Sequence, residues 1–244
     1  ERREGVAEEH IQQEYYCSFD APLVGSFWGK ELMDCERDGR ITGLPHDEAL
    51  LVDTWWDIGY SDQTAVWFTQ RAGNEIHLIN YEEASERTPA QDVQMLNRMR
   101  DEHGYNYGRH IWPFDGGHKT KASKGRPLSA LYGDLNVYPE VQPRNDVEVA
   151  VQRVRQILPR CWFDRANCAD GLDALRAFKK AKDDDKSTDT RPYYNPGYVH
   201  DWASHGASAF YTGAMVGQDA SQGRRVKRDR YGYEEEAVGS AWGA

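Results

Sequence analysis

Three apolar stretches of strand length follow one another between residues 50 and 81, and a fourth comes after a helix. This order limits the fold more than any other feature of the 244-residue chain. Leu50 to Asp57 is rich in Leu, Val and Trp, Thr64 to Thr69 reads Thr-Ala-Val-Trp-Phe-Thr, and Glu75 to Tyr81 forms a third such run. The connections are short: Ile58–Gly59–Tyr60–Ser61–Asp62 reads as a turn, and Arg71–Ala72–Gly73–Asn74 as a hairpin loop. Strands joined this tightly pair antiparallel, because a parallel pair needs a long crossover. The spacing therefore predicts a three-stranded meander. Thr88–Pro89 then opens a helix that runs to about Glu102, with Val93, Leu96 and Met99 at helical spacing and Gly104 as its stop. Arg109 to Asp115 is the next strand, and strand–helix–strand at this length predicts a parallel crossover.

Other elements surround this frame. Trp28 to Glu36 reads as a helix, Leu128 to Leu131 as a short one, and Asn136 to Val141 as a short strand. Asn145/Asp146 caps a helix carrying Val147, Ala150, Val151, Val154 and Leu158, and Cys161–Trp162–Phe163 is a brief strand. Asp170 to Lys182 and Asp201 to about Met215 read as helices, separated by a polar loop that begins at Asp183. A meander feeding a parallel crossover, with helices on both sides, is the layout of an α/β ribonuclease H-like mixed sheet. The expected organisation is a lead-in over residues 1–48, one domain over 49–216, and a flexible charged tail over 217–244. That tail holds Arg224, Arg225, Lys227, Arg228 and Arg230, followed by Glu234–Glu235–Glu236. The chain begins at Glu1 without a Met, so a fragment or processed product is expected.

Composition narrows the class. A hydrophobic share of 39% with 8 Trp can supply a core, and no apolar run approaches the ~20 residues of a membrane span. No signal peptide opens the chain, and Cys17, Cys35, Cys161 and Cys168 form no CxxC pair, which fits free thiols in a reducing cytosol. A net charge of -10 argues against a simple nucleic-acid coating protein, yet leaves room for an acidic metal site beside local basic patches.

The acidic residues sit where chemistry would need them. Asp57 ends the first strand, behind Trp55–Trp56, and Asp62 lies across the turn. Asp115 ends the fourth strand, in Trp112–Pro113–Phe114–Asp115–Gly116. Each alone could be an ordinary turn former. If their strands are neighbours, Asp57 and Asp115 could share a hard divalent cation, Mg²⁺ or Mn²⁺. Asp201 opens the last helix, as an N-cap or as a further ligand, and His205 and Ser208 lie one turn apart on it. Two ions about 4 Å apart would serve in-line hydrolysis of a phosphodiester. The loop that follows Asp115 carries Lys119, Lys121, Lys124 and Arg126, suited to DNA phosphates, and it is not a Walker A loop.

A set of ordered motifs adds to this reading. Gln13–Glu14–Tyr15–Tyr16–Cys17–Ser18–Phe19, Gly25–Ser26–Phe27–Trp28, Trp56–Asp57–Ile58–Gly59 and Pro113–Phe114–Asp115–Gly116 are followed by His200 to Phe210, reading His-Asp-Trp-Ala-Ser-His-Gly-Ala-Ser-Ala-Phe. Together they resemble the large subunit of tailed-phage DNA-packaging terminases, over nearly the whole chain. The resemblance implies the nuclease portion, without the ATPase motor. It implies a two-metal endonuclease that cuts concatemeric viral double-stranded DNA. The implied partners are the motor, the small subunit and the portal of the procapsid, in the host cell cytoplasm and with no membrane. By resemblance Asp57 and Asp115 are metal ligands and Asp62 is auxiliary. The family's last helix often carries an Asp as third ligand where this chain has Ser208, so Asp201 is the candidate replacement. Two alternatives remain open: a non-catalytic DNA- or portal-docking module weakened by Ser208, and a junction-resolving nuclease of the same fold.

Overall fold

Strand alternation builds the centre of the protein. Successive strand side chains point to opposite faces, so on β2 (Val52–Asp57) Trp55 and Trp56 enter two different cores. The computed structural model describes residues 25–59, 63–119, 125–183, 185–187 and 192–216. It begins with α1 (Gly29–Arg37) and β1 (Ile41–Thr42), ahead of β2. β3 (Gln63–Ala72) and β4 (Glu75–Ser85) complete the meander. Then come α2 (Pro89–His103), β5 (Tyr107–Trp112), a 3₁₀ turn (Phe114–Gly117), α3 (Leu128–Gly133) and β6 (Pro139–Val141). α4 (Val147–Ile157), β7 (Cys161–Asp164), α5 (Ala169–Ala177), a ribbon of β8 (Lys180–Lys182) and β9 (Tyr194–Tyr198), and α6 (Ala203–Ala214) follow.

The main sheet has seven strands in the order β1-β7-β4-β3-β2-β5-β6. β2–β3 and β3–β4 are antiparallel, while β2–β5, β5–β6, β4–β7 and β1–β7 are parallel. The expected mixed sheet, a meander joined to a parallel crossover, is therefore present. One face packs Trp55, Trp67, Phe163 and Phe210 against α4, α5 and α6. The other packs Trp56, Phe68, Met95, Leu96, Met99, Trp112 and Tyr132 under α2 and α3. Both faces are covered, as a sheet with parallel strands requires.

Several boundaries differ from the sequence reading, each for a physical reason. β5 ends at Trp112 rather than at Asp115, because Pro113 has no N–H to continue the ladder. Asp115 sits instead in the 3₁₀ turn. The helix expected to run to Lys182 stops at Ala177, and Lys180–Lys182 pairs with Tyr194–Tyr198. β4 runs on to Ser85, four residues past Tyr81. The described part of the expected lead-in is packed into the body: Trp28 and Cys35 are fully buried, and β1 pairs with β7. The strand or helix considered for Gln12 to Tyr16 and the tail 217–244 lie outside the described residues.

α2 shows how local sequence fixes an element. Thr88 and Gln91 form a reciprocal capping box, Pro89 fills the first turn, and Gly104 ends the helix with φ +71°, a left-handed conformation that glycine adopts freely. The crossover therefore has set ends, and these fix where β5 returns beside β2.

Candidate active site

Asp57 is placed by three elements. β2 delivers it at its C-terminal end, on the same side of the sheet as Trp55, the side covered by α6. β5 runs parallel to β2, with Trp55 beside Ile111, so the chain leaving β5 emerges at the same sheet edge and carries Asp115 there. α6 lies on that face and brings His205, whose Nδ1 is 3.1 Å from Asp57 Oδ2. When Asp57 is ionised it only accepts, and the contact then requires the proton on His205 Nδ1.

Small residues let α6 come this close. Gly206, Ala207, Ala209, Gly213 and Ala214 are all buried. A Cβ on Gly213 would stand 1.8 Å from Trp55 Cδ2, and one on Gly206 would stand 2.7 Å from Tyr81 Oη. Trp67 Nε1 donates to the Gly206 carbonyl at 2.9 Å, which sets the height of the helix one residue past His205. The helix start is tied as well: Asp201 Oδ1 accepts from the Ala203 N–H at 3.0 Å, and Ser204 Oγ donates to the Asp201 carbonyl at 2.7 Å.

Burial pushes the Asp57 carboxyl above the usual carboxylate range, and the charge of Asp115 adds to the rise. The hydrogen bond and charge of His205, and the charge of His200, pull the other way. Asp57 and Asp115 are therefore within electrostatic reach of each other. Asp115 is the open member: 75% of its side chain is exposed, and His118 Nδ1 lies 3.3 Å from its Oδ1. Two carboxylates that disfavour each other's charge at one sheet edge form an oxygen donor set whose repulsion a hard cation would relieve.

The remaining expected residues are distributed unevenly. Asp201 serves the first turn of α6, as an N-cap-like acceptor. Ser208 is buried and interacts with the phenol of Tyr211. Among the described residues, no three His, Cys, Asp or Glu side chains come close enough together to form a metal site by themselves. Lys119 is exposed and pairs with Pro127 across the base of its loop. Arg126 turns back to Asp134, with both Nη atoms within 3.0 Å of its carboxylate. Asp62, Lys121 and Lys124 lie outside the described residues. A cleft lined by Phe27, Arg155, Lys180 and Tyr194 lies between α4 and the β8–β9 ribbon, and neither Asp57 nor Asp115 lines it.

Sequence reasoning missed Glu83. In the sheet Asp57 pairs with Ala65 and Ala65 with Glu83, so the two acids share one row and one face, two strands apart. Tyr81 Oη donates to Glu83 Oε2 at 2.5 Å. The signal was the length of β4: extending it past Tyr81 would have put Glu83 in register.

The fold has counterparts among solved structures. The chain is similar to the large terminase of a thermophilic bacteriophage in complex with ADP, with a TM-score of 0.56 and 11% identity over 83% of this chain and 50% of that one. It is similar to the nuclease domain of the P22 large terminase, with a TM-score of 0.53 and 18% identity over 73% of this chain and 88% of that one. The large terminase nuclease of thermophilic phage G20c with bound magnesium gives a TM-score of 0.50 and 12% identity, over 80% of this chain and 99% of that one. The fold is that of the large-terminase nucleases. It is the ribonuclease H-like fold, as the element order led one to expect. The chain spans about half the length of the ADP-bound large terminase and nearly all of the G20c nuclease. No protein-family model matches the sequence, and no curated protein matches it. No helix among the described residues is long and apolar enough to cross a membrane.

Proposed function

We propose that the chain is a divalent-metal-dependent DNA endonuclease, the nuclease portion of a packaging terminase that cuts concatemeric viral double-stranded DNA. One observation carries the reading: in a terminase-nuclease fold, Asp57 and Asp115 leave neighbouring parallel strands at one sheet edge, and His205 of α6 holds Asp57.

Asp57 and Asp115 would hold the metal, Mg²⁺ or Mn²⁺, with Asp62 and Asp201 as the candidate further oxygen donors. When bound, two such ions would supply an activated water and stabilise the leaving oxygen. The protein's own residues do the rest. His205 orients the Asp57 carboxylate by engaging one of its oxygens, Oδ2. The wall of Trp55 and Phe210 behind it keeps water off the apolar side. Lys119, with Lys121 and Lys124, supplies the positive charge that phosphates need; Arg126 anchors the far end of that loop to α3.

The folded body of this domain would run from Gly25 to Val216, with residues 217–244 as a charged extension. The motor, the small subunit and the portal of the procapsid are the partners this reading entails, in the cytoplasm of the infected host. The test is nicking of supercoiled plasmid by the 244-residue chain with Mn²⁺ or Mg²⁺, against Asp57→Ala and Asp115→Ala. Cleavage lost in both variants supports the enzyme. Salt-sensitive DNA binding with no cleavage supports the docking module, which the buried Ser208 favours. A preference for four-way junctions over linear duplex supports the resolvase.

A further inference from the structure

Two large aromatic side chains at the candidate site stay in water. Phe114 is 40% exposed and directly precedes Asp115; Trp202 is 53% exposed and stands at the N-terminus of α6, three residues before His205. Residues three apart at a helix start lie on neighbouring positions, roughly 5–6 Å apart. The two residues belong to two elements that meet at the candidate site: the turn after β5, which carries Asp115, and the start of α6, where the charge of His200 acts on Asp57. Tyr138 is more exposed still, at 73%, but it leads into the N-terminal end of β6, the opposite end of the sheet.

Neither ring is there to fill a core. Trp202 makes no side-chain cap for its helix, because an indole only donates; Asp201 Oδ1 accepts from the Ala203 N–H there. Phe114 is braced edge to face by His118, with centroids 4.7 Å apart at 88°. The loop after Phe114 continues into the exposed Lys119, a group that suits a polyanion. Bases stack on aromatic side chains for about 1–3 kcal/mol each, with little regard to sequence. They can do so only where they are unpaired, because in an intact duplex the base faces are covered by their neighbours.

We propose that Phe114 and Trp202 are stacking platforms for unpaired nucleobases on either side of the scissile phosphate. The site then takes DNA opened around the cut rather than an intact duplex. The proposal rests on the nuclease reading for the place of the cut, but the stacking itself is measurable without any cleavage.

The experiment uses the 244-residue chain and oligonucleotides with 2-aminopurine in a short central bubble, next to fully paired controls, with Ca²⁺ to keep the strands whole. The expected result is quenching of the bubble's 2-aminopurine on binding and tighter binding of the bubble than of the duplex. Trp202→Ala and Phe114→Ala should each weaken bubble binding by about 5- to 150-fold, the range that such stacking energies give. They should leave duplex binding and the melting temperature near those of the parent, and Trp202→Phe should retain most of the affinity. Equal binding of bubble and duplex by the parent, or variants that bind the bubble as the parent does, would overturn the proposal and assign the rings to a protein contact. Quenching without cleavage in Mn²⁺ would keep the platforms and remove the nuclease. Cleavage with indifferent variants would do the reverse.

Discussion

His205 Nδ1 stands 3.1 Å from Asp57 Oδ2, although 148 residues separate them in the chain. With Asp57 ionised the imidazole donates, holds the carboxylate in one orientation and favours that ionised form. Removal of such a supporting partner costs roughly 10- to 100-fold in metal affinity or activity in known metal sites. His205→Ala should lower Mn²⁺-dependent plasmid nicking by that amount, while Asp57→Ala takes it to background. Isothermal titration with Mn²⁺ on both variants separates lost affinity from lost turnover. Full activity in His205→Ala would show that the pair has no part in the reaction.

Ser208 is 6% exposed on α6, one turn after His205. A carboxylate there would join the Asp57 side of the sheet and would be repelled when no cation is present. Ser208→Asp should therefore melt at a lower temperature in EDTA and recover with Mn²⁺. Cleavage or metal affinity should rise above the parent's. No change in either would place the position outside the metal shell.

Gly213 tests the close approach of α6 to β2. Alanine is favoured over glycine in a helix interior by about 1 kcal/mol. Here its methyl would stand 1.8 Å from Trp55 Cδ2, in a fully packed core. Overpacking of that kind costs about 3 kcal/mol, so the clash wins and Gly213→Ala should lose about 2 kcal/mol in urea unfolding. Trp55→Leu opens the space, and the double variant should recover part of the loss. A stabilised Gly213→Ala would mean that the helix sits farther from the strand.

His110 gives the fold a pH limit. It is buried on β5, with Nδ1 2.7 Å from Thr54 Oγ1 on β2, and Trp56 Nε1 donates to the same hydroxyl. Burial, assisted by the charge of Arg100, pushes the imidazole down to about 4 from an ordinary 6.5. The unfolded chain therefore takes up this proton first as pH falls. The stability it carries is complete above about pH 6.5 and drains away toward pH 4, by about 3 kcal/mol in all. His110→Asn places an amide oxygen near the Nδ1 position and should remove about one proton's worth of slope from the urea-unfolding free energy across that window. An unchanged slope would show that His110 titrates normally.

Much of this architecture could be read before the structure. The apolar runs around Trp55–Trp56 and Trp67, joined by short connections, were enough for a meander, and Thr88–Pro89 was enough for the crossover helix. Asp57 and Asp115 could be set at one edge because parallel neighbours must end together. The β8–β9 ribbon could not be read, since Lys180, Lys182 and Pro196–Gly197 are exposed and the two strands carry no run of apolar residues. The burial of α1 was also hidden, because Trp28 finds partners more than a hundred residues away, its Nε1 donating to the Val151 carbonyl and its ring stacking on Phe178. The ion pair of Arg126 with Asp134 likewise depends on how a loop folds back, which side-chain chemistry alone does not dictate.

Trp55 and Trp56 point into separate cores, and Asp57 is the next residue along. A loosening of either layer, by heat, denaturant or a distant substitution, would tilt the same carboxylate. On the nuclease reading, cleavage should therefore fade before the spectroscopic melt, as a gauge of how tightly both halves of the molecule grip their shared strand.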